Sequence, residues 1–350
     1  MKKIFTTATF LISALLSVSF AQDIHFSQYN LTPLVINPAQ AGAYKTIEAI
    51  ANYKSQWTSI SPNAYRTYMI SADGRLKQKK WKTKWLAAGL NLYNDKAGDG
   101  NMKTTQVNGS FGYHTQLDDK NTLGGALVAG YSARSIDYSQ LTWDEQYKNG
   151  TFDPVANPSG ETYLQGKNKF GYPDVGMGIL YQYNKGQMYS TANDMIIIRS
   201  GLALWHLNQP KYSFYGNSKE KLYMKIVGHA EAIIGVKNTN LAFLPGILYM
   251  HQGPSHEFLP GCYFRYMLRE ESKFTGYVKG ASIMVGTHMR FKDAFIPSVQ
   301  LEVAEYTLGF SYDMNVSGLK SATSGKGGFE ISLRYGNPNP FLYKSAASFQ

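Results

Sequence analysis

The sequence predicts an all-β chain: a transmembrane antiparallel β-barrel of about fourteen strands, preceded by an amino-terminal segment that is not strand-like. Three observations carry this. Much of the chain alternates apolar and polar residues with the period of two that side chains follow along a strand. The connections between the alternating segments are longer on one side of the count than on the other, as in outer-membrane barrels. After Ala21 no apolar run approaches the ~18–20 residues that a membrane helix needs. The longest, Leu241 to Met250, is broken by Pro245 and Gly246.

Met1-Lys2-Lys3 is basic, Ile4 to Phe20 is apolar, and Ser19 and Ala21 are small residues at the spacing of a signal-peptidase site. Residues 1–21 therefore read as a secretory signal, with a mature start at Gln22. A membrane anchor fits less well, because no basic stop-transfer flank follows. Residues 22–43 carry Pro33, Pro38 and the turn signal Asn37-Pro38. This segment is expected on the periplasmic side or inside the barrel mouth. Residues 44–336 would form the barrel, and 337–350 a tail.

The strand candidates run roughly 47–57, 64–74, 85–94, 102–116, 122–136, 174–184, 196–207, 223–236, 240–250, 260–269, 274–288, 295–302, 305–314 and 328–335. Alternation is cleanest in Leu86-Ala88-Leu90-Leu92, in Val175-Met177-Ile179-Tyr181-Tyr183, and in Leu308-Phe310-Tyr312-Met314. In the last strand Phe329, Ile331, Leu333 and Tyr335 share one face, and Glu330, Ser332 and Arg334 the other. An Arg at the bilayer midplane costs ~2–4 kcal/mol, so Glu330 and Arg334 must face the lumen. With Asp313 they form either a polar network there or simply a hydrated lumen face. A closed barrel then pairs this strand with Ile47–Trp57.

If the amino end is periplasmic, the outer connections include Asp137–Pro173, Asn208–Leu222 and Asn315–Gly327. Short inner turns are expected at Leu117–Asn121, Lys237–Asn240, Glu270-Glu271 and Val303-Ala304, with Arg75–Lys84 and Lys185–Met195 as long exceptions. Trp57, Tyr93, Tyr131, Tyr183, Trp205 and Tyr249 lie near strand ends, where aromatic girdles sit at the membrane interfaces.

The net charge is +11, and loss of Lys2 and Lys3 with the signal leaves +9. In a secreted chain lipopolysaccharide or another anionic partner is physically easier than nucleic acid, but a general solubility effect outweighs both readings. Cys262 is the single cysteine, so there is neither a disulfide framework nor a Cys-based metal site. No catalytic or cofactor motif is present. His251 and His256, with Glu257, fall in an expected outer loop, where solvation outweighs metal binding. Asp95, Asp99 and Asn101 lack the oxygen density of a calcium loop. Lys77, Lys79, Lys80, Lys82 and Lys84, with Trp81 and Trp85 between, make either a solvated periplasmic turn or a docking patch for an acidic partner or lipid headgroups.

Several stretches resemble one family. Gln22-Asp23-Ile24-His25-Phe26-Ser27-Gln28-Tyr29, then Pro33-Leu34, Asn37-Pro38-Ala39 and Ala41-Gly42, is similar to the opening of PorP/SprF proteins. Asn52-Tyr53 with Gln56-Trp57, the block Arg134-Ser135-Ile136-Asp137 with Leu141-Thr142-Trp143-Asp144 and Gln146-Tyr147, and Tyr312–Val316 with Gly327–Ile331 continue the likeness. Ile24 stands where Pro is common in that family.

The resemblance implies a non-enzymatic, cofactor-free outer-membrane component of the type IX secretion system and gliding machinery. Its implied partners are a secreted adhesin-like protein with a type IX C-terminal sorting domain, other secretion components at the periplasmic face, and outer-membrane lipid. Within the matching stretches His25, Phe26, Tyr29, Arg134, Asp137, Trp143 and Asp144 are the candidates for partner contact. The alternative functions are a channel or small-solute transporter and, more remotely, a lipid-modifying enzyme. Residues 22–43 discriminate the first of these: folded into the lumen, they block a channel.

Overall fold

The computed structural model describes residues 23–337 apart from 59–60, 62, 77–82, 149, 162–166, 187–192, 216–218, 270–278 and 319. The leader 1–21, Gln22, the lysines between 77 and 82, and the tail from 338 onward lie outside the described residues.

Period-two alternation becomes a closed antiparallel barrel of fourteen strands. They are β1 (Ile47–Gln56), β2 (Tyr65–Leu76), β3 (Lys84–Ala97), β4 (Met102–Gln116), β5 (Asn121–Ser135), β8 (Lys169–Lys185) and β9 (Ile196–Trp205), then β10 (Lys225–Gly235), β11 (Leu241–Gln252), β12 (Ser255–Arg269), β13 (Ala281–Arg290), β14 (Ala294–Val303), β15 (Tyr306–Asn315) and β16 (Lys326–Asn337). The two-residue strands β6 (Tyr147–Lys148) and β7 (Thr151–Phe152) make a separate hairpin in the connection after β5.

β16 closes on β1, with Leu333 opposite Ala51 and Ile331 opposite Tyr53. The faces of β16 are those the pattern requires. Glu330 and Ser332 are fully buried, whereas Ile331 and Leu333 are 40% and 48% exposed toward the lipid side.

Each expected strand is present, and several boundaries move. β8 begins at Lys169 rather than 174, which shortens the longest connection to 136–168. β12 begins at Ser255 rather than 260, so His251 and His256 are not in a loop. They lie opposite one another across a tight turn, with stacked rings 4.4 Å apart. β13 begins at Ala281 rather than 274, so the connection 270–280 is longer than the expected Glu270-Glu271 turn. The longest connections, 136–168 and 206–224, share one end, hereafter the outer end.

The girdle expectation needs a correction. Tyr131 and Tyr249 do face outward, but Tyr93 and Trp205 are 8% and 5% exposed and point into the lumen. The cause is the amino-terminal segment, which fills the lumen and gives these rings an apolar partner.

Candidate functional site

The segment runs down the lumen from the outer end to the opposite mouth, where β1 begins. Proline and capping residues shape it. A 3-10 turn spans Tyr29–Leu31, a one-turn helix Pro33–Ile36 starts on proline, and a second 3-10 turn covers Pro38–Gln40. Proline suits the first helical position because no donor is lost there. Asn37 caps the last turn by accepting from the Ala39 N–H at 2.9 Å, and its amide donates to the Ile179 carbonyl at 2.9 Å. Its side chain thus shapes the segment and anchors it to β8.

At the outer end, Asp23 holds three strands. Its carboxylate lies 2.7 Å from His206 Nε2 and 3.5 Å from Lys225 Nζ, and its N–H donates to Gln252 Oε1 at 3.1 Å. The other His206 nitrogen meets Asp174 Oδ1 at 2.9 Å. His206 follows the last residue of β9. Burial lowers its pKa, but the Asp23 charge and the hydrogen bonds to Asp174 and Asp23 outweigh this and raise it to about 9.

Below this latch Glu330 accepts the Ser27 and Gln28 N–H groups at 2.7 and 3.1 Å, and also meets Asn52 at 2.9 Å. The Ser27 hydroxyl donates to Asp313 at 2.9 Å and accepts from Arg290 at 2.9 Å. Arg290 also reaches Asp293, Asp313 and Glu257 within 3.4 Å. Asp313 and Glu330 therefore belong to one network through Ser27. Arg334 belongs to another, with Glu302 and Thr307.

Apolar contacts complete the wedge. Phe26 packs with Ile50, Met69 and Tyr93, and Leu34 and Ala41 pack with Ala87 and Trp85. The wall is notched to receive the segment. A Cβ added at Gly178, Gly246 or Gly309 would collide with Asn37, Tyr29 or Gln28 respectively.

At the inner end Gly42 adopts φ +57°, a left-handed conformation that glycine takes at no steric cost, and a Cβ there would lie 2.8 Å from that of Ala87. Its N–H donates to Asp73 at 2.7 Å, and its carbonyl accepts from Arg75 at 2.7 Å and Trp85 at 3.0 Å. Trp85 is thus a lumen residue, under the Arg75 guanidinium at 4.4 Å, and no part of a surface patch. A cavity of about 210 Å³ remains beside the segment, lined in part by Tyr44, Glu48, Arg199, Glu231, Glu302 and Arg334. Tyr44 lies just before β1 and the other five lie on the inner halves of their strands, so the cavity belongs to that mouth.

The seven expected contact residues separate into two groups. Phe26 and Tyr29 are 2% and 6% exposed, held in the lumen as wedges; His25 is partly buried, 3.5 Å from Glu257. Arg134, Asp137, Trp143 and Asp144 lie at the outer rim. Arg134 stacks over Tyr212 at 4.9 Å, and Asp137 accepts from Ser139 at 2.6 Å. Trp143 and Asp144 begin a 3-10 turn beside the β6–β7 hairpin, where Tyr147, Phe152 and Val155 are exposed. His206, Lys225, Arg290 and Asp73 were not singled out from the sequence. Their signal is a charged residue on the inward face or just past the strand end.

The geometry is that of a barrel stoppered by its own amino end, with an elaborated outer loop. A family model for the type IX secretion system membrane protein PorP/SprF matches residues 18–335. The chain belongs to this family.

It is therefore an outer-membrane barrel of the type IX secretion system. Among solved structures, the Ralstonia pickettii toluene transporter TbuX is similar at 10% identity and TM-score 0.46, over 88% of this chain and 93% of that one. A TodX monoaromatic hydrocarbon channel mutant gives 8% identity and TM-score 0.49, over 87% and 94%. A Pseudomonas aeruginosa FadL homologue gives 8% and 0.42, over 86% and 92%. At these scores the likenesses carry no argument about what this PorP/SprF protein handles. No curated protein sequence matches it at a significant level.

Proposed function

We propose that this PorP/SprF protein supports export or surface anchoring of a secreted, adhesin-like partner by binding rather than by catalysis. The outer connection 136–168 holds the partner's sorting domain, and the inner mouth meets other secretion components. The observation that supports this reading is the filled lumen. Glu330, Asp73, Arg75 and Asn37 fasten the segment from one mouth to the other, which favours a scaffold over a conduit. The exposed Tyr147, Phe152 and Val155 give the outer loop apolar contact area of the kind interfaces use.

The test compares cells lacking the gene, cells with 136–168 replaced by a short Gly-Ser linker, and wild type. Surface and medium proteins bearing type IX sorting domains are quantified by mass spectrometry. At least one should leave the surface in both mutants. Unchanged surface display in the deletion strain would sink the proposal.

A further inference from the structure

Outward-facing residues of neighbouring strands form horizontal rows on the wall. The register puts Arg66 of β2 opposite Lys96 of β3, and Lys96 opposite Lys103 of β4. Lys103 lies opposite Ser135 of β5, and Ser135 opposite Lys169 of β8. Four cations and one serine thus occupy a single row at the outer end. Neighbouring strands are about 4.8 Å apart, so the Arg66, Lys96 and Lys103 backbones span about 10 Å.

All four cations are exposed. Like charges directly opposite one another on a sheet are destabilising. Acids nearby do little to offset them. Asp137 is close enough to feel Lys103, but its carboxylate is bonded to Ser139. Asp99 accepts from Asn63, and Asp95 faces inward onto Thr67. Among the described residues none of the four cations has an ion pair or a side-chain hydrogen bond.

The row's height is defined by what lies below it. The next row holds Tyr68, Asn94 and Thr105, and the one after it Ile70, Leu92, Val107 and Tyr131. The exposed Ile70, Leu92 and Tyr131 begin the apolar belt. The cations therefore stand one residue pair above the apolar wall, at headgroup level. The patch is also one-sided. At the same end of β9–β14 the outward positions are Leu204, Ile226, His251, His256, Met289 and Phe295.

We propose that Arg66, Lys96, Lys103 and Lys169 form a binding site for the phosphates of an outer-leaflet glycolipid headgroup. The phosphates bridge neighbouring cations and neutralise their mutual repulsion while the acyl chains lie along Ile70, Leu92 and Val107. This site uses none of the residues that fasten the segment in the lumen, and it borders the outer connection at Ser135 and Lys169.

The test is native mass spectrometry of the full barrel in a neutral detergent, titrated with diphosphorylated lipid A, phosphatidylcholine or inorganic phosphate. Wild type should bind lipid A at least tenfold more tightly than R66Q/K96Q/K103Q/K169Q. K211Q/K221Q, which removes charge from the loop after β9, should bind like wild type. The double variant K96Q/K103Q should melt at or above wild type in neutral detergent and lose the stabilisation that lipid A gives wild type. Equal lipid A binding by the quadruple variant, equal loss in K211Q/K221Q, binding of phosphatidylcholine as tight as lipid A, or competition by millimolar inorganic phosphate would each overturn the proposal. The last would mark a soluble-anion site instead.

Discussion

Glu330 of the closing strand accepts the backbone N–H groups of both Ser27 and Gln28, at 2.7 and 3.1 Å, across 303 and 302 residues of sequence. One carboxylate therefore couples barrel closure to seating of the segment. In Glu330→Ala both donors are orphaned in a buried place, at ~1–3 kcal/mol each. Its melting temperature in detergent should fall by several degrees. Chymotrypsin, which cuts after Phe26 and Tyr29, should release the amino end faster than in wild type. Glu330→Gln keeps one acceptor oxygen and should fall between the two. Wild-type cleavage rates in Glu330→Ala would show that the other anchors suffice.

The wall glycines make the complementary point from the barrel side. Gly178→Ala and Gly309→Ala place a methyl where Asn37 and Gln28 now sit. Overpacking of this kind costs ~1–3 kcal/mol. Gly109→Ala is the control, because an added Cβ there meets only the Ala129 carbonyl at 3.8 Å. Urea melts should rank the control with wild type and both lumen variants below it. Equal midpoints would mean that the segment shifts to accommodate the methyl groups.

The barrel was largely legible in the sequence, and the lumen was not. Period two marked most of the fourteen barrel strands, because a wall between lipid and lumen forces alternation on it, whereas the short β6–β7 hairpin was not among the expected strands. The boundary of β12 was missed because Glu257 and Pro260 disguise a strand whose turn is only Gly253-Pro254. Tyr93 and Trp205 were assigned to girdles because a wet lumen gives an aromatic ring no reason to point inward. What supplies that reason is a segment whose own pattern of Pro33, Asn37, Pro38 and Gly42 names turns but not their destination. Phe26 and Tyr29, candidates for partner contact, are buried in the lumen by that same segment.

The outer latch has a pH dependence whose sign follows from His206. Its pKa in the fold, about 9, is above its ordinary value of 6.5, so the folded state holds the proton more tightly. The stabilisation is complete below about 6.5 and is lost as pH rises through about 9. Hydrogen exchange of the amides near Asp23 should accelerate between pH 7 and 10 beyond the intrinsic rise, and His206→Gln should abolish that excess. An unchanged excess in the variant would assign the effect elsewhere.

Neighbouring residues on β16 test the faces directly. Leu333 is 48% exposed toward lipid, whereas Arg334 meets Glu302 at 3.2 Å inside the barrel. Leu333→Arg puts a charge into hydrocarbon, at up to ~2–4 kcal/mol at the midplane. Arg334→Leu leaves Glu302 with Arg265 at 2.9 Å, so a partner remains. Heat-modifiable migration of membrane extracts should show Arg334→Leu assembled and Leu333→Arg depleted. Equal assembly would mean that the lipid-facing side tolerates the charge through local hydration.

Removing the segment separates stopper from scaffold. Fourteen strands lie between the eight of filled barrels and the sixteen of open porins, so the bare lumen is wide enough for water. A variant lacking residues 23–41 exposes Met69, Tyr93, Trp205, Val227 and Leu248, now 0–8% exposed, to the lumen. Each such side chain forfeits up to ~1.5–3 kcal/mol of burial. The barrel should therefore melt well below wild type yet still insert, because β1 and β16 pair through their own backbones. In planar bilayers wild type should be silent and the truncated form should conduct steadily. An inserted truncation that stays silent would show that something other than residues 23–41 closes the lumen. A conducting wild type would restore the channel reading.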